Sequence, residues 1–262
     1  MQTRLAYIQE GEGIPVVLLH GFCERKEIWD RFIPILAKES KVIALDLPGF
    51  GENEAIDADI SINYVAEHVE AFLKSIEVRQ AIIVGHSLGG YVALSLANQF
   101  PQLISGLCLF HSTAKADSDE KKATRDKTAL FLKENGMEAF ARNFADALFS
   151  PHNHQKLVIQ IAEYKQMLSQ TPVETAVAYT KAMRDRPERM NVLKEAEYPC
   201  LFIAGKDDQA VPYADLLEQS KLPKADSKLI TLEHCAHMGM YEQEERSKHA
   251  LLNFIKQIKS KL

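Results

Sequence analysis

The five-residue segment GHSLG at positions 85–89 constrains the fold of this chain more than any other feature. It follows the apolar run 81–84 directly and opens a stretch with helical periodicity, so it marks a sharp turn from a strand into a helix. In such a turn the strand and the helix approach closely, and the positions two before and two after the central residue must be nearly free of side chains. Gly85 and Gly89 meet that demand. The segment therefore predicts a tight turn that exposes the hydroxyl of Ser87.

Short apolar runs rich in branched residues alternate with longer amphipathic stretches along most of the 262 residues. The predicted strands are 14–19, 41–45, 81–84, 104–110, 200–204 and 228–232. The predicted helices between them are 28–38, 63–76 and 88–99. Helices of this length suit the crossovers that join parallel strands, so the sequence predicts an α/β fold with a mostly parallel, doubly wound sheet.

The alternation stops over residues 112–197, where a charged stretch leads into helix-like segments without a credible strand. We therefore predict a discontinuous core of residues 1–111 and 198–262, with a helical cap inserted at 112–197. In the cap, Phe140, Phe144 and Leu148 share one helical face. They are candidates for a substrate pocket, although a helix that packs as ordinary structural core would carry the same pattern.

A serine is a weak nucleophile unless a base takes its proton and a third group orients that base. When the nucleophile follows a central strand of such a sheet, the acid and the base come from loops after later strands. His234, His237 and His249 qualify by position, but His249 falls inside the final amphipathic helix. His234 follows the last strand so closely that it belongs to the strand end. The pattern thus favours His237 as the base and leaves His234 as the alternative.

The loop after strand 200–204 carries two adjacent aspartates, Asp207 and Asp208. Either one is placed to act as the acid. An aspartate at such a position also serves as a turn former or a helix cap, so the residue pattern leaves the choice open.

Five segments resemble the capped α/β-hydrolase superfamily and together span nearly the whole chain outside the predicted cap: LLHGF at 18–22, DLPGFG at 46–51, GHSLGG at 85–90, GKDDQAVP at 205–212 and HCAHMGMYE at 234–242. The resemblance implies the α/β-hydrolase fold with Ser87 as nucleophile. It selects Asp208, three residues after the glycine of a G-x-x-D-x-x-V-P pattern, and His237, the second histidine of H-x-x-H. It also implies an oxyanion hole made by the backbone N–H groups of Phe22 and Leu88.

A nucleophilic serine with an oxyanion hole implies acyl transfer to the enzyme followed by hydrolysis. We therefore expect a serine esterase that cleaves carboxylic esters of small or medium acyl groups. Serine at position 87 argues against epoxide hydrolysis and dehalogenation by alkyl attack, for which relatives carry aspartate there. Two alternatives remain, namely a carbon–carbon bond hydrolase of ring-cleavage diketones and a ligand receptor that retains the triad.

We expect a small-molecule substrate as the partner of this chain. The sequence does not predict the oligomeric state. A formal charge of −5 and no basic stripe predict no binding to nucleic acid or to a membrane surface. The sequence lacks both an uninterrupted apolar window of about 20 residues and a secretory signal, so we expect a cytoplasmic protein. Four scattered cysteines without a CxxC pair indicate neither a disulfide framework nor a zinc knuckle. No metal or other cofactor is expected, because the histidines at 152 and 154 lack neighbouring ligands in sequence.

Overall fold

The computed structural model describes residues 4–56 and 58–261. Within these residues the strands are β1 (Tyr7–Glu10), β2 (Pro15–Leu19), β3 (Lys41–Leu45), β4 (Ala81–His86), β5 (Ile104–Phe110), β6 (Cys200–Gly205) and β7 (Ser227–Leu232). They form one seven-stranded sheet in the order β1-β3-β2-β4-β5-β6-β7. Only β1 runs antiparallel to its neighbour, so the predicted mostly parallel sheet is confirmed.

The degree of burial of each strand explains whether the sequence analysis predicts it. Every residue of β4 and of β6 is buried, as expected for central strands of a parallel sheet that helices cover on both faces. Their continuous apolar runs are therefore easy to find in the sequence. The edge strand β1 is mostly exposed and has no such run, and the sequence analysis does not predict it.

The helices are α1 (Ile33–Leu36), α2 (Ile62–Ser75), α3 (Leu88–Gln99), α4 (Asp119–Ala147), α5 (Val158–Ser169), α6 (Val173–Arg184), α7 (Met190–Glu195), α8 (Tyr213–Gln219), α9 (Gly239–Glu242) and α10 (Glu244–Lys259). In the described part of the chain, none of them combines the length and the apolar character that crossing a membrane requires. The predicted helices 63–76 and 88–99 correspond to α2 and α3 within one residue.

The predicted helix at 28–38 is wrong. The chain instead forms a 3-10 turn at Lys26–Trp29 and the short helix α1. Pro34 lies in the first turn of α1, where its missing N–H does no harm, but the same proline interrupts a longer helix that starts upstream. The 3-10 turn is held in place because the backbone N–H and the ammonium group of Lys26 both donate to the buried carboxylate of Asp46.

Residues 112–197, called the helical segment below, contain helices α4 to α7 and no strand. Helix α4 is interrupted at Gly136, whose φ of 74° and ψ of 178° are not helical. The segment contacts the loops that follow three different strands. The Tyr179 hydroxyl donates to the Pro48 carbonyl after β3, the Tyr164 hydroxyl donates to Glu24 after β2, and the backbone N–H of His237 after β7 donates to a carbonyl of the segment. The segment therefore lies over the carboxyl edge of the sheet.

Candidate active site

Ser87 occupies the turn between β4 and α3 with φ 48° and ψ −112°, a region that non-glycine residues rarely adopt. The surrounding glycines allow this conformation. A Cβ atom on Gly85 would collide with the carbonyl oxygen of Gly89, and a Cβ atom on Gly89 would collide with that of Leu19. The backbone N–H of Ser87 donates to the Phe110 carbonyl at 3.0 Å, which holds the turn against β5. The tight turn that the sequence predicts is therefore present, and neither glycine position has room for a side chain.

The structure brings Asp208 and His237 together. Asp208 lies in the loop after β6 and His237 in the loop after β7, and both are buried. The Nδ1–H group of His237 donates to Oδ2 of Asp208 at 2.8 Å. His237 and Ser87 line the same cavity. Because Nδ1 is bound to the carboxylate, the free lone pair of the His237 ring is on Nε2.

The two alternatives from the sequence analysis lie elsewhere. The carboxylate of Asp207 accepts a hydrogen bond from the Ser150 hydroxyl at 2.6 Å, outside the cavity that contains Ser87. The ring of His234 is exposed and lies against His152, with 4.6 Å between ring centroids. Neither residue lines the cavity of Ser87.

The Asp208 carboxylate accepts four hydrogen bonds. Besides the bond from His237, Oδ2 accepts from Nδ1 of His111 at 3.1 Å, and Oδ1 accepts from the backbone N–H groups of Ala210 and Val211, each at 2.9 Å. Burial opposes the negative charge, but the favourable electrostatic interaction with His237 and the hydrogen bonds from both imidazoles outweigh it and lower the pKa of Asp208. The site therefore holds an ionised carboxylate with little freedom to rotate.

His111 is a site residue that the sequence analysis missed. It is fully buried directly after β5, at a positive φ of 49°. Burial lowers its pKa to about 4 despite the nearby Asp208 charge, so the ring is neutral near pH 7. Its Nε2 atom has no hydrogen-bond partner among the described residues. Its position in the sequence, directly after a predicted central strand, could have identified it. The carboxyl ends of parallel strands lie at one edge of the sheet, so a histidine there is expected near the acid.

Glu24 is a second missed residue, and it is 98% buried beside the cavity. Its Oε2 accepts from the backbone N–H of Gly21 at 2.6 Å and from Nδ1 of His86 at 3.0 Å, while Oε1 accepts from the Tyr164 hydroxyl at 3.0 Å. A charged residue two positions after the LLHGF segment is the signal that could have found it, because a buried carboxylate requires partners.

His86 is the partner that balances the charge of Glu24. Its second nitrogen, Nε2, lies 3.1 Å from the carbonyl oxygen of His237. Because both ring nitrogens face oxygen acceptors, both carry hydrogen and the ring is an imidazolium. Burial works against both charges, but each group stabilises the other, so the pKa of His86 is raised and that of Glu24 is lowered. A buried ion pair therefore connects the loop after β2 to the backbone of His237.

Phe22 and Leu88, predicted to form the oxyanion hole, are both buried. Among the described residues, nothing accepts a hydrogen bond from the backbone N–H of either one. Leu88 is the first residue of α3, where N–H groups lack partners inside the helix and the helix dipole favours negative charge. Phe22 follows Gly21, whose own N–H is held by Glu24. The loop after β2 and the start of α3 thus each offer a free buried donor.

The cavity that contains Ser87 has a volume of about 70 Å³. Phe144 and Leu148 of the helical segment line it, together with Tyr164. Phe140 lies behind them rather than at the cavity surface. Its ring stacks on that of Phe144 with 4.6 Å between centroids and also contacts the Phe22 ring at 6.0 Å. Two of the three predicted pocket residues therefore face the cavity, and the third supports one of them.

The buried side chains of His111, Asp208 and His237 also have ligand-type atoms within 4.8 Å of one another. In this structure both imidazoles donate to the carboxylate, so the three groups already satisfy one another. We assign no metal to them.

Residues 14–244 match the model of the family described as the alpha/beta hydrolase fold. The chain belongs to the α/β-hydrolase fold family. The family and the fold predicted from the sequence are therefore confirmed. Among solved structures, this α/β-hydrolase is similar to a thermophilic esterase from Thermogutta terrifontis with a TM-score of 0.92 and 25% identity. The match covers 97% of this chain and 93% of that one.

Two curated relatives extend the comparison of this α/β-hydrolase. It is 27% identical to 2-hydroxy-6-oxo-6-(2'-aminophenyl)hexa-2,4-dienoic acid hydrolase of Metapseudomonas resinovorans, over 97% of this chain and 88% of the relative. It is also 27% identical, over 93% of its length, to the dihydrolipoyllysine-residue acetyltransferase component of an acetoin cleaving system from Pseudomonas putida. The chain spans only 64% of that relative, so the two proteins differ in extent.

Proposed function

We propose that this α/β-hydrolase is a serine esterase that cleaves carboxylic esters of small acyl groups through an acyl-enzyme intermediate. One observation carries the proposal: Ser87, on a strained turn, faces the same cavity as His237, and His237 donates to the ionised Asp208. The free backbone donors of Phe22 and Leu88 flank this group. Nucleophile, base, orienting acid and oxyanion donors are the parts that acyl transfer needs.

In the proposed reaction the Ser87 hydroxyl oxygen attacks the ester carbonyl carbon while Nε2 of His237 takes the hydroxyl proton. The carbonyl oxygen becomes an oxyanion that the backbone N–H groups of Phe22 and Leu88 stabilise. The C–O bond to the alcohol then breaks, and the alcohol leaves with the proton from His237. Water, activated by the same nitrogen, hydrolyses the acyl-enzyme and frees Ser87. The Asp208 carboxylate holds the ring in the required tautomer throughout.

The acyl preference follows from the size and walls of the cavity. Sites for drug-sized ligands enclose roughly 300–1,000 Å³, and the cavity here has only about 70 Å³. Phe144 and Leu148 form apolar parts of its wall. We therefore propose that the helical segment acts as a cap whose side chains limit the acyl chain, as the sequence analysis expects for residues 112–197.

Two of the comparisons bear on the substrate. The similarity to an esterase supports ester hydrolysis. The similarity to a hydrolase of a hydroxy-oxo-dienoic acid favours a second candidate, cleavage of a carbon–carbon bond in a ring-cleavage diketone, which would use the same nucleophile and base.

A substrate screen separates these candidates. Purified protein is assayed with p-nitrophenyl acetate, butyrate, octanoate and laurate, beside a vinylogous diketone. We expect continuous turnover of the esters, with kcat/KM highest for the two shorter acyl chains. Turnover of the diketone with inert esters would replace the proposal by the second candidate. A single burst without turnover would instead indicate a ligand receptor.

A further inference from the structure

Three side chains that the proposed reaction does not use converge at the surface. His152 lies in the 3-10 turn Pro151–Asn153 of the helical segment, Asp207 in the loop after β6, and His234 in the loop after β7. Each offers one ligand-type atom, and these atoms lie within 4.8 Å of one another. We propose that this cluster binds a divalent transition-metal ion of the Zn²⁺ type.

The donor set suits such an ion. Two imidazoles and one carboxylate form a common three-ligand zinc set that leaves a fourth position for water. Tetrahedral Zn²⁺ with bonds of about 2.0–2.1 Å places its ligand atoms about 3.3 Å apart. The observed separations exceed that by about 1.5 Å at most, and both histidines are exposed. Because both rings are exposed, they can rotate to shorten these separations without disturbing buried packing.

Hydrogen bonds already hold the backbone that carries the three ligands. The Ser150 hydroxyl donates to Oδ2 of Asp207 at 2.6 Å and orients the carboxylate, as an outer-shell partner does. The Asn153 amide donates to the carbonyl oxygen of His234 at 2.7 Å and to Glu242 at 2.8 Å. Three loops distant in sequence are thus fixed to one another, so little backbone order has to be gained when an ion binds.

The position of the cluster indicates a structural role for the ion. Asp207 precedes Asp208, and His234 lies in the same loop as His237, whereas His152 belongs to the helical segment. A bound ion therefore joins the helical segment to the two loops that carry the acid and the base. Because an ion that binds only the folded state raises stability by mass action, it should act as a clamp at this junction.

Isothermal titration calorimetry with ZnCl₂ on the chelator-treated full chain tests the proposal. We expect one high-affinity ion per chain and a higher melting temperature with Zn²⁺. His152→Ala and His234→Ala should each weaken binding at least about tenfold, the loss typical even of outer-shell partners. His154→Ala is the matched control, because its ring bonds to backbone carbonyls outside the cluster and binding should persist. Melting temperatures without metal check that each variant folds.

Unchanged affinity in both His152→Ala and His234→Ala would overturn the proposal. So would loss of the ion in His237→Gln but not in these two variants, because that result would place the metal at the active site. Ester turnover in excess chelator is measured on the same samples. Because the proposed esterase reaction needs no metal, ester turnover by an unsubstituted chain that binds no Zn²⁺ would overturn the metal site alone, and Zn²⁺ binding by an unsubstituted chain that turns over no ester would overturn the esterase alone.

Discussion

Oδ2 of Asp208 lies 3.1 Å from Nδ1 of His111 and accepts a hydrogen bond from it. The same oxygen accepts a second bond from His237 at 2.8 Å. The acid of the candidate triad is thus shared between the proposed base and a buried histidine that stays neutral near pH 7. The proposed orienting acid thus also holds a buried side chain of the loop after β5 in place.

Removal of the nucleophile should abolish the reaction. We expect Ser87→Ala to lower kcat about 10⁶-fold, the loss seen when a triad serine is removed. The variant should also lose labelling by a fluorophosphonate, measured by intact mass. Its melting temperature serves as the folding control. A labelled Ser87→Ala protein would show that another group is the nucleophile.

Substitution of the two adjacent aspartates should have very different effects on kcat. Asp208→Asn should lower kcat by about 10⁴-fold, because an amide stabilises the wrong His237 tautomer and cannot balance an imidazolium. Asp207→Asn should leave kcat within about twofold, since its carboxylate bonds to Ser150 outside the cavity. Steady-state kinetics on both variants, with a butyrate ester, gives the comparison. Equal losses would contradict the assignment of the acid.

His111 should make stability depend on pH. An unfolded histidine titrates near 6.5, whereas folded His111 has a pKa of about 4. As the pH falls from about 6.5 to 4, the unfolded chain takes up a proton that the folded state does not, so the free energy of unfolding falls by on the order of 3 kcal/mol. Urea unfolding at several pH values measures this slope. In His111→Asn the slope over this window should be shallower, and parallel profiles would refute the prediction.

Breaking the buried ion pair should reduce both stability and rate. Glu24→Gln leaves the His86 imidazolium without its counter-charge, and removing one partner of a buried pair costs about 3 kcal/mol or more. It also weakens the bond that positions Gly21 beside the oxyanion donor of Phe22. We expect a lower free energy of unfolding in urea and a lower kcat with little change in KM. Glu27→Gln, at a partly exposed carboxylate, is the control and should change stability by less than about 1 kcal/mol.

Substitution of the two stacked phenylalanines should affect different properties, acyl-chain preference in one case and stability in the other. Phe144 lines the cavity, so Phe144→Ala should raise kcat/KM for octanoate relative to acetate. Phe140 lies behind it and is buried, so Phe140→Ala should lower stability by about 3 kcal/mol and change the preference less. The ratio of ester activities and the urea midpoint are measured for both. A shifted preference in Phe140→Ala alone would reverse this assignment.

Local sequence determined the central part of this fold. The turn at Ser87 depends on steric limits that act over a few residues, and Gly85 and Gly89 satisfy them in any context that joins a strand to a helix. The buried strands could also be predicted from local sequence, because burial on both faces of the sheet requires consecutive apolar residues. The choice of Asp208 over Asp207 came from resemblance to a family. The residue pattern alone left the two aspartates open and favoured His237 with His234 as the alternative.

Only the tertiary structure decided which side chains meet. The hydroxyl of Tyr164 reaches Glu24 from 140 residues away, and His111 reaches Asp208 across 97 residues. Local periodicity does not predict such partners, because these contacts depend on which loops lie together at the carboxyl edge of the parallel sheet. The separate places of Asp207 and Asp208 have the same origin. Neighbours in sequence point in different directions from a loop, and burial against distant residues gives each its own partners.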